Sequence, residues 1–333
     1  MKRVGLPPAG GSEEAGAPPT PRRDPDRPGL SMVPGAEFRS YYGRPVLKQP
    51  VWTDEIPLYY FTGGLAGASA SLALAARLAG NHRLASDALA VSATGILASF
   101  PLLVDDLGRP DRFHHMLRVL KPTSPMSVGT WILSALGPSV VGAAVADRLG
   151  ILPRLGRTAE VVAGTLGPAL ATYTAVLVAD TAVPVWHEAG RQLPFVFAGS
   201  AAAAAGGAAA ILTPAADAGP ARRLAVGGAL VELGAARVME RRLGELAEPY
   251  HHPPARRFAR LARACTGAGA LVLGLAGRRR PAAVAGGALL LAGSACQRLA
   301  VHKAGFESAS DPKYVVQPQR ARLDSGAGIP SRR

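Results

Sequence analysis

Stretches dominated by Ala, Gly, Leu and Val, almost free of charge, recur along most of this chain, and each approaches the about 20 residues that cross a bilayer core. In hydrocarbon every backbone N–H and C=O must find its partner inside the protein, which leaves helices or a closed barrel. Strand formers are scarce here and the apolar runs are long, so helices are expected. Eight spans are read, at about 56–79, 85–104, 126–146, 158–179, 193–212, 224–239, 258–276 and 281–301. The expected fold class is an all-α integral membrane protein with about eight transmembrane helices.

A mean hydropathy of only +0.17 does not contradict this, because the two polar tails and the Arg-rich loops dilute the apolar segments. The shortage of aromatic residues and the wealth of Ala and Gly suit closely packed membrane helices, in which small side chains let backbones approach. A formal charge of +14 would point to nucleic acid in a soluble protein. Here the arginines sit between apolar segments, where they anchor loops against anionic lipid and set topology, so the lipid membrane is the expected partner and nucleic acid is not. Loop charge alone differs little between the two sides. Both basic tails fall on one side, which favours cytoplasmic termini.

Residues 1–50 are Pro-rich and lack an apolar core, so they read as a disordered tail rather than a signal peptide. The membrane domain is expected over 51–305, entered through Trp52, Tyr59 and Tyr60 as an interfacial aromatic anchor, with a polar tail over 306–333. Cys265 and Cys296 both fall in apolar segments without metal-ligand spacing. The chain is therefore not expected to hold an iron–sulfur cluster or another metal of its own. His82, His114, His115, His187, His251, His252 and His302 all read as loop or helix-end residues. A membrane haem needs facing histidines inside helices, so no haem is expected.

The densest polar stretch is LLVDDLGRPDRFHHMLRVLKPTSPM, residues 102–126. Asp105 and Asp106 close the second span with Arg109 and Arg112 in reach, as an ion pair at the membrane surface or as a structural cap and clamp. Residues 112–120 read as a short amphipathic helix lying in the interface. Tyr173 offers a phenolic donor within the fourth span, or is a packed residue satisfied by a backbone carbonyl. Asp180 follows two helical turns later, as a proton relay or as a wetted helix end. Glu232 is the most deeply placed acid, and intramembrane acids are functional candidates by default; its alternative is a pair with Arg237 or with another helix's Arg. Trp186, His187 and Glu188 sit at the exit of the fourth span.

The segments DLGRPxRF and KPTSPMSxGTWIL within residues 106–133, YTAVLVADTAVPVW over 173–186, and PLYYFTGGLAGAS over 57–69 together resemble the NrfD/PsrC-type family, the quinone-interacting membrane subunits of polysulfide reductase and related enzymes. The likeness extends over roughly residues 50–305. It implies two four-helix bundles in a prokaryotic plasma membrane, no haem, and menaquinone or ubiquinone bound near one membrane face. It also implies a four-cluster ferredoxin-like iron–sulfur subunit docked alongside and a molybdopterin catalytic subunit beyond it, so that this chain is not catalytic alone. On this reading Tyr173, Trp186, Asp106, Arg109 and His187 line the quinone pocket, and Asp105, Asp180 and Glu232 relay protons. A transport module and a structural membrane anchor without a redox role are the competing readings. Intramembrane acids also mark ion paths, but no inverted repeat or pair of broken helices is evident.

Overall fold

The computed structural model describes residues 46–105 and 110–324, including all side chains there except those of 110–113 and 322–324. Asp106, Arg109 and most of the two expected tails, 1–45 and 325–333, lie outside the described residues. Among the described residues every regular element is a helix. Eight run for 20 residues or more: α1 (Glu55–Leu78), α2 (His82–Asp105), α3 (Pro125–Leu149), α4 (Pro153–Ala179), α6 (Leu193–Leu212), α7 (Gly219–Leu243), α8 (Ala255–Ala276) and α9 (Arg280–Ser310). The short α5 (Pro184–Glu188) precedes α6, and α10 (Lys313–Asp324) follows α9. Six of the long helices, α2, α3, α4, α6, α8 and α9, are both long and apolar enough to cross a membrane. This is a multi-pass membrane protein.

The helices start and stop where local chemistry dictates. α3, α4, α6, α7 and α9 each carry Pro in their first two positions, where the missing N–H costs no intrahelical bond. Gly150 closes α3 in the left-handed conformation, φ 65°, with its N–H returned to the Ala146 carbonyl.

Packing follows two closed rings. α1 touches α2 and α4, and α3 joins α2 to α4; α6 touches α7 and α9, and α8 joins α7 to α9. These are two four-helix bundles, and α1 and α6 form the main seam between them, with Tyr60 and Phe197 rings meeting across it at 6.2 Å. The α1–α4 crossing is close enough that a methyl group on Gly67 would press on the Gly167 carbonyl. Such contacts replace the hydrophobic drive that lipid removes.

Several elements depart from expectation. α7 spans 25 residues, longer than the segment read at 224–239, because its polar ends continue the helix past the apolar stretch. α9 continues to Ser310, and its 31 residues rise about 46 Å, well beyond a core of about 30 Å. Its last turns, with α10, give helical structure to much of the segment expected as a polar tail. The short helix expected over 112–120 is present as a 3-10 helix, two residues earlier, at Pro110–Leu117. His302 is not at a helix end: it lies inside α9 and is buried. Hydropathy placed the end of that span at 301, so the extra turns were invisible to it.

Candidate quinone pocket and buried ion centre

The first bundle opens a narrow pocket at the end where α1 and α3 begin and α2 and α4 finish. Ile56, Tyr59 and Tyr60 of α1, Leu103 of α2, Met126, Thr130 and Leu133 of α3, and Tyr173 and Leu177 of α4 line it, with Trp52 and Met116 at the mouth. Its polar atoms are few and concentrated. The hydroxyl groups of Tyr59 and Tyr173 are hydrogen-bonded to each other across the α1–α4 contact. Behind them Thr62 and Ser99 share a hydrogen bond of 2.7 Å, joining α1 to α2.

Tyr173 is held in place by a gap opposite it. Its ring lies where a side chain of Gly129, in the first turns of α3, would stand, so any methyl group there would collide with it. Gly129 belongs to the segment 121–133 noted in the sequence, and its smallness is the physical reason that α3 and α4 can seat a phenol between them.

Of the other residues expected in this pocket, none described lines it. Trp186 is buried behind the pocket mouth: its ring stacks on Trp52 at 5.6 Å and its Nε1 donates to the Val301 carbonyl at 2.7 Å. It fixes α5 against α9 and supports the Trp52 wall. His187 and Glu188 face a different cleft with Thr181 and Tyr314, and the His187 ring lies 3.3 Å from the Ala179 carbonyl. Asp105 is exposed in the last position of α2 and Asp180 is exposed as the residue that ends α4. Both therefore sit at helix ends in contact with the surroundings, Asp180 with its N–H still returned to the Val176 carbonyl.

Glu232 belongs to the second bundle. It is 1% exposed in α7, with Thr266 of α8 3.5 Å from Oε1 and Arg298 of α9 as its charged neighbour. Arg298 is equally buried. Its guanidinium lies 3.7 Å from the centroid of the Phe197 ring, and Nη2 donates to the Phe197 carbonyl at 2.9 Å. Ser200 and Ser294 hydrogen-bond to each other at 2.8 Å nearby. Glu232 Oε2 and Arg298 Nε and Nη1 have no hydrogen-bond partner among the described residues. Buried charges in that condition are costly, and a site of this polarity is where internal water is expected. The cation in electrostatic reach of Glu232 is therefore Arg298 on another helix, with no ion pair within 4.0 Å among the described residues.

Two further polar clusters complete the picture. Arg77 at the end of α1 reaches Asp147 of α3 at 2.7 Å and Glu160 of α4 at 3.1 Å, clamping the far end of the first bundle. On the pocket side, Asp54 receives Lys303 at 2.5 Å and lies 3.9 Å from the buried His302 Nε2. Tyr59, Arg298 and His302 were all missed in the sequence. Tyr59 gives no signal apart from its motif, since its role depends on a residue 114 positions away. Arg298 was readable in principle as a cation inside an apolar span.

The family profile described as polysulphide reductase, NrfD, matches residues 46–247, more than half of the chain. The chain belongs to the polysulphide reductase NrfD family. No curated protein matches it significantly. The match takes in the whole first bundle, the Tyr59–Tyr173 pocket, α6 and α7 of the NrfD domain, and so covers Glu232; α8, α9 and Arg298 lie beyond its end.

Proposed function

We propose that this NrfD-family chain is the membrane-anchoring, quinone- or quinol-binding subunit of a molybdopterin oxidoreductase complex in a prokaryotic plasma membrane, and that it exchanges electrons with a docked four-cluster iron–sulfur subunit. The observation that carries the reading is the hydroxyl pair of Tyr59 and Tyr173 at one end of an otherwise apolar pocket. A flat, lipophilic headgroup needs apolar walls with a donor placed at its carbonyl, and this donor set fits that requirement.

Menaquinone or ubiquinone, when bound, supplies the two-electron, two-proton chemistry. One hydroxyl of the Tyr59–Tyr173 pair donates to one carbonyl oxygen, and the other donates to that hydroxyl and orients it. Trp52, Leu103 and Met126 exclude water, and Trp186 acts through Trp52 as a positioning residue. Asp106 and Arg109 contribute polar groups to quinone binding, and His187 serves on the neighbouring surface. Asp105 and Asp180, at wetted helix ends, exchange protons with the surroundings, and Glu232 is the relay acid within the second bundle. The chain performs no terminal reaction by itself, and its termini are cytoplasmic.

The decisive experiment is purification of the complex from native membranes. Co-purified iron–sulfur and molybdopterin subunits, together with saturable binding of a short-chain quinone to the purified assembly, support the reading. Absence of both overturns it. One observation favours a second reading, a proton-conducting module: the unpaired polar atoms around Glu232 and Arg298. Proton flux through liposomes holding this chain alone, without quinone, would select it.

A further inference from the structure

On the loop face away from the tyrosine pocket, α7 and α8 of the second bundle leave a cleft of about 730 Å³ between them. Its α7 side is a single helical stripe, Gly219, Arg222, Arg223, Val226, Gly227 and Leu230, spaced at three- and four-residue intervals. The α8 side comprises Leu273 to Gly277, and Arg278 and Arg279 close the top. None of the lining residues is acidic.

Polarity is graded along the cleft. The end at the loops holds four arginines beside the exposed Leu275, and the deeper end holds only apolar or small residues, with Leu230 exposed on its wall. Gly227 has open space where its side chain would be, and Gly274 meets only Val226, at 3.8 Å. The trough is therefore left clear along its length. Arg222 is committed to structure, since Nη1 donates to the Ala215 carbonyl at 2.9 Å. The side chains of Arg223, Arg278 and Arg279 make no hydrogen bond or ion pair among the described residues.

We propose that this cleft is a binding site for an anionic phospholipid, with its phosphate held by Arg223, Arg278 and Arg279 and an acyl chain laid along Val226, Gly227, Leu230 and Gly274. Guanidinium groups match phosphate oxygens in two-point hydrogen bonds, and three exposed ones gathered at one end of a cleft without a protein counterion are free to share an anion. A free phosphate would satisfy the arginines but leave the trough open to lipid. A zwitterionic lipid would fill the trough but bring its own cation among the arginines. Only a lipid with net negative charge at the head and hydrocarbon behind it satisfies both ends.

The test is native mass spectrometry of the full chain released from detergent, titrated separately with phosphatidylglycerol, phosphatidylcholine and inorganic phosphate. The comparison is with the triple variant R223Q/R278Q/R279Q and with Gly274→Phe, which fills the trough from an exposed position. Phosphatidylglycerol is expected to remain bound at activation energies that strip phosphatidylcholine, with about ten-fold weaker binding or more in the triple variant. Gly274→Phe is expected to weaken phosphatidylglycerol binding as well. The proposal is overturned if phosphatidylcholine binds equally, if the triple variant retains phosphatidylglycerol unchanged, if inorganic phosphate competes as well as the lipid, or if Gly274→Phe binds like the parent chain. It is also overturned if the cleft proves to be occupied by a second copy of the chain, seen as a lipid-free dimer.

Discussion

Arg298 and Glu232 lie within electrostatic reach of each other inside the second bundle, both almost wholly buried, with Phe197 of α6 beneath the guanidinium and Glu232 Oε2 and Arg298 Nε and Nη1 without hydrogen-bond partners among the described residues. Removing one member leaves the other charge uncompensated, which typically costs about 3–5 kcal/mol in a protein interior. Arg298→Met and Glu232→Gln are each expected to lower the thermal stability of the detergent-solubilised chain. The double variant is expected to recover part of the loss, because the orphaned charge is gone. Thermal scans of all four proteins measure the coupling; a double variant as unstable as the sum of the singles would show that the two residues are independent.

Tyr173→Phe and Tyr59→Phe each remove one hydroxyl of the pocket pair. Quinone-dependent turnover of the purified complex is expected to fall about ten-fold in either, the scale of one lost hydrogen bond. The double variant is expected to fall little further, since the two hydroxyls act as a unit. Turnover with an artificial electron donor that bypasses the pocket is expected to stay unchanged.

Gly129→Ala tests the same pocket without touching a polar atom. The added methyl group collides with the Tyr173 ring, which must move from its seat between α3 and α4. The expected result is a raised KM for quinone with the helical fold retained, read by steady-state kinetics and circular dichroism. An unchanged KM would mean that Tyr173 can shift without consequence.

Arg77→Leu is expected to loosen the opposite end of the first bundle. It would strand Glu160, which is 3% exposed, and release Asp147, so α1, α3 and α4 lose their common tie. A loss of about 3 kcal/mol is expected, measurable as earlier unfolding, while the tyrosine pocket at the other end keeps its affinity for quinone.

The docking of α10 is expected to depend on pH in a defined window. Lys313 lies 2.8 Å from Glu248 and holds its carboxyl below the usual carboxylate range, while Glu248 in turn raises the Lys313 ammonium. The carboxylate therefore contributes above the usual range and is lost as pH falls through its lowered value. The ammonium contributes below its usual range and is lost as pH rises through its raised value. The protection of residues 313–324 against hydrogen exchange, relative to the intrinsic rate at each pH, is expected to be greatest between these limits and to lose this pH dependence in Lys313→Met.

Much of the fold was legible because membrane insertion imposes a simple rule on sequence. Segments without charge over the width of a bilayer become helices, and all eight expected segments fall on the eight long helices. What hydropathy could not deliver was the extent of α7 and α9, whose polar ends continue helical geometry after the apolar stretch stops. The pocket was half legible. Tyr173 stood out as a phenol within an apolar span, but its partner Tyr59 lies on another helix, and no local pattern encodes that meeting. Trp186 and His187, close together in sequence, part company because α5 turns one ring into the packing and leaves the other outside.

The seam helix α1 touches α2, α4, α6 and α9, so it borders both bundles, yet it is one of the two long helices that fall short of the apolar character of a span. During synthesis α1 emerges well before three of those four neighbours exist. Its tyrosines, glycines and serines are tuned for a crowded interior that the ribosome has not yet made. The set of contacts that encloses α1 is therefore complete only once α9, the last of the eight long helices, has been made.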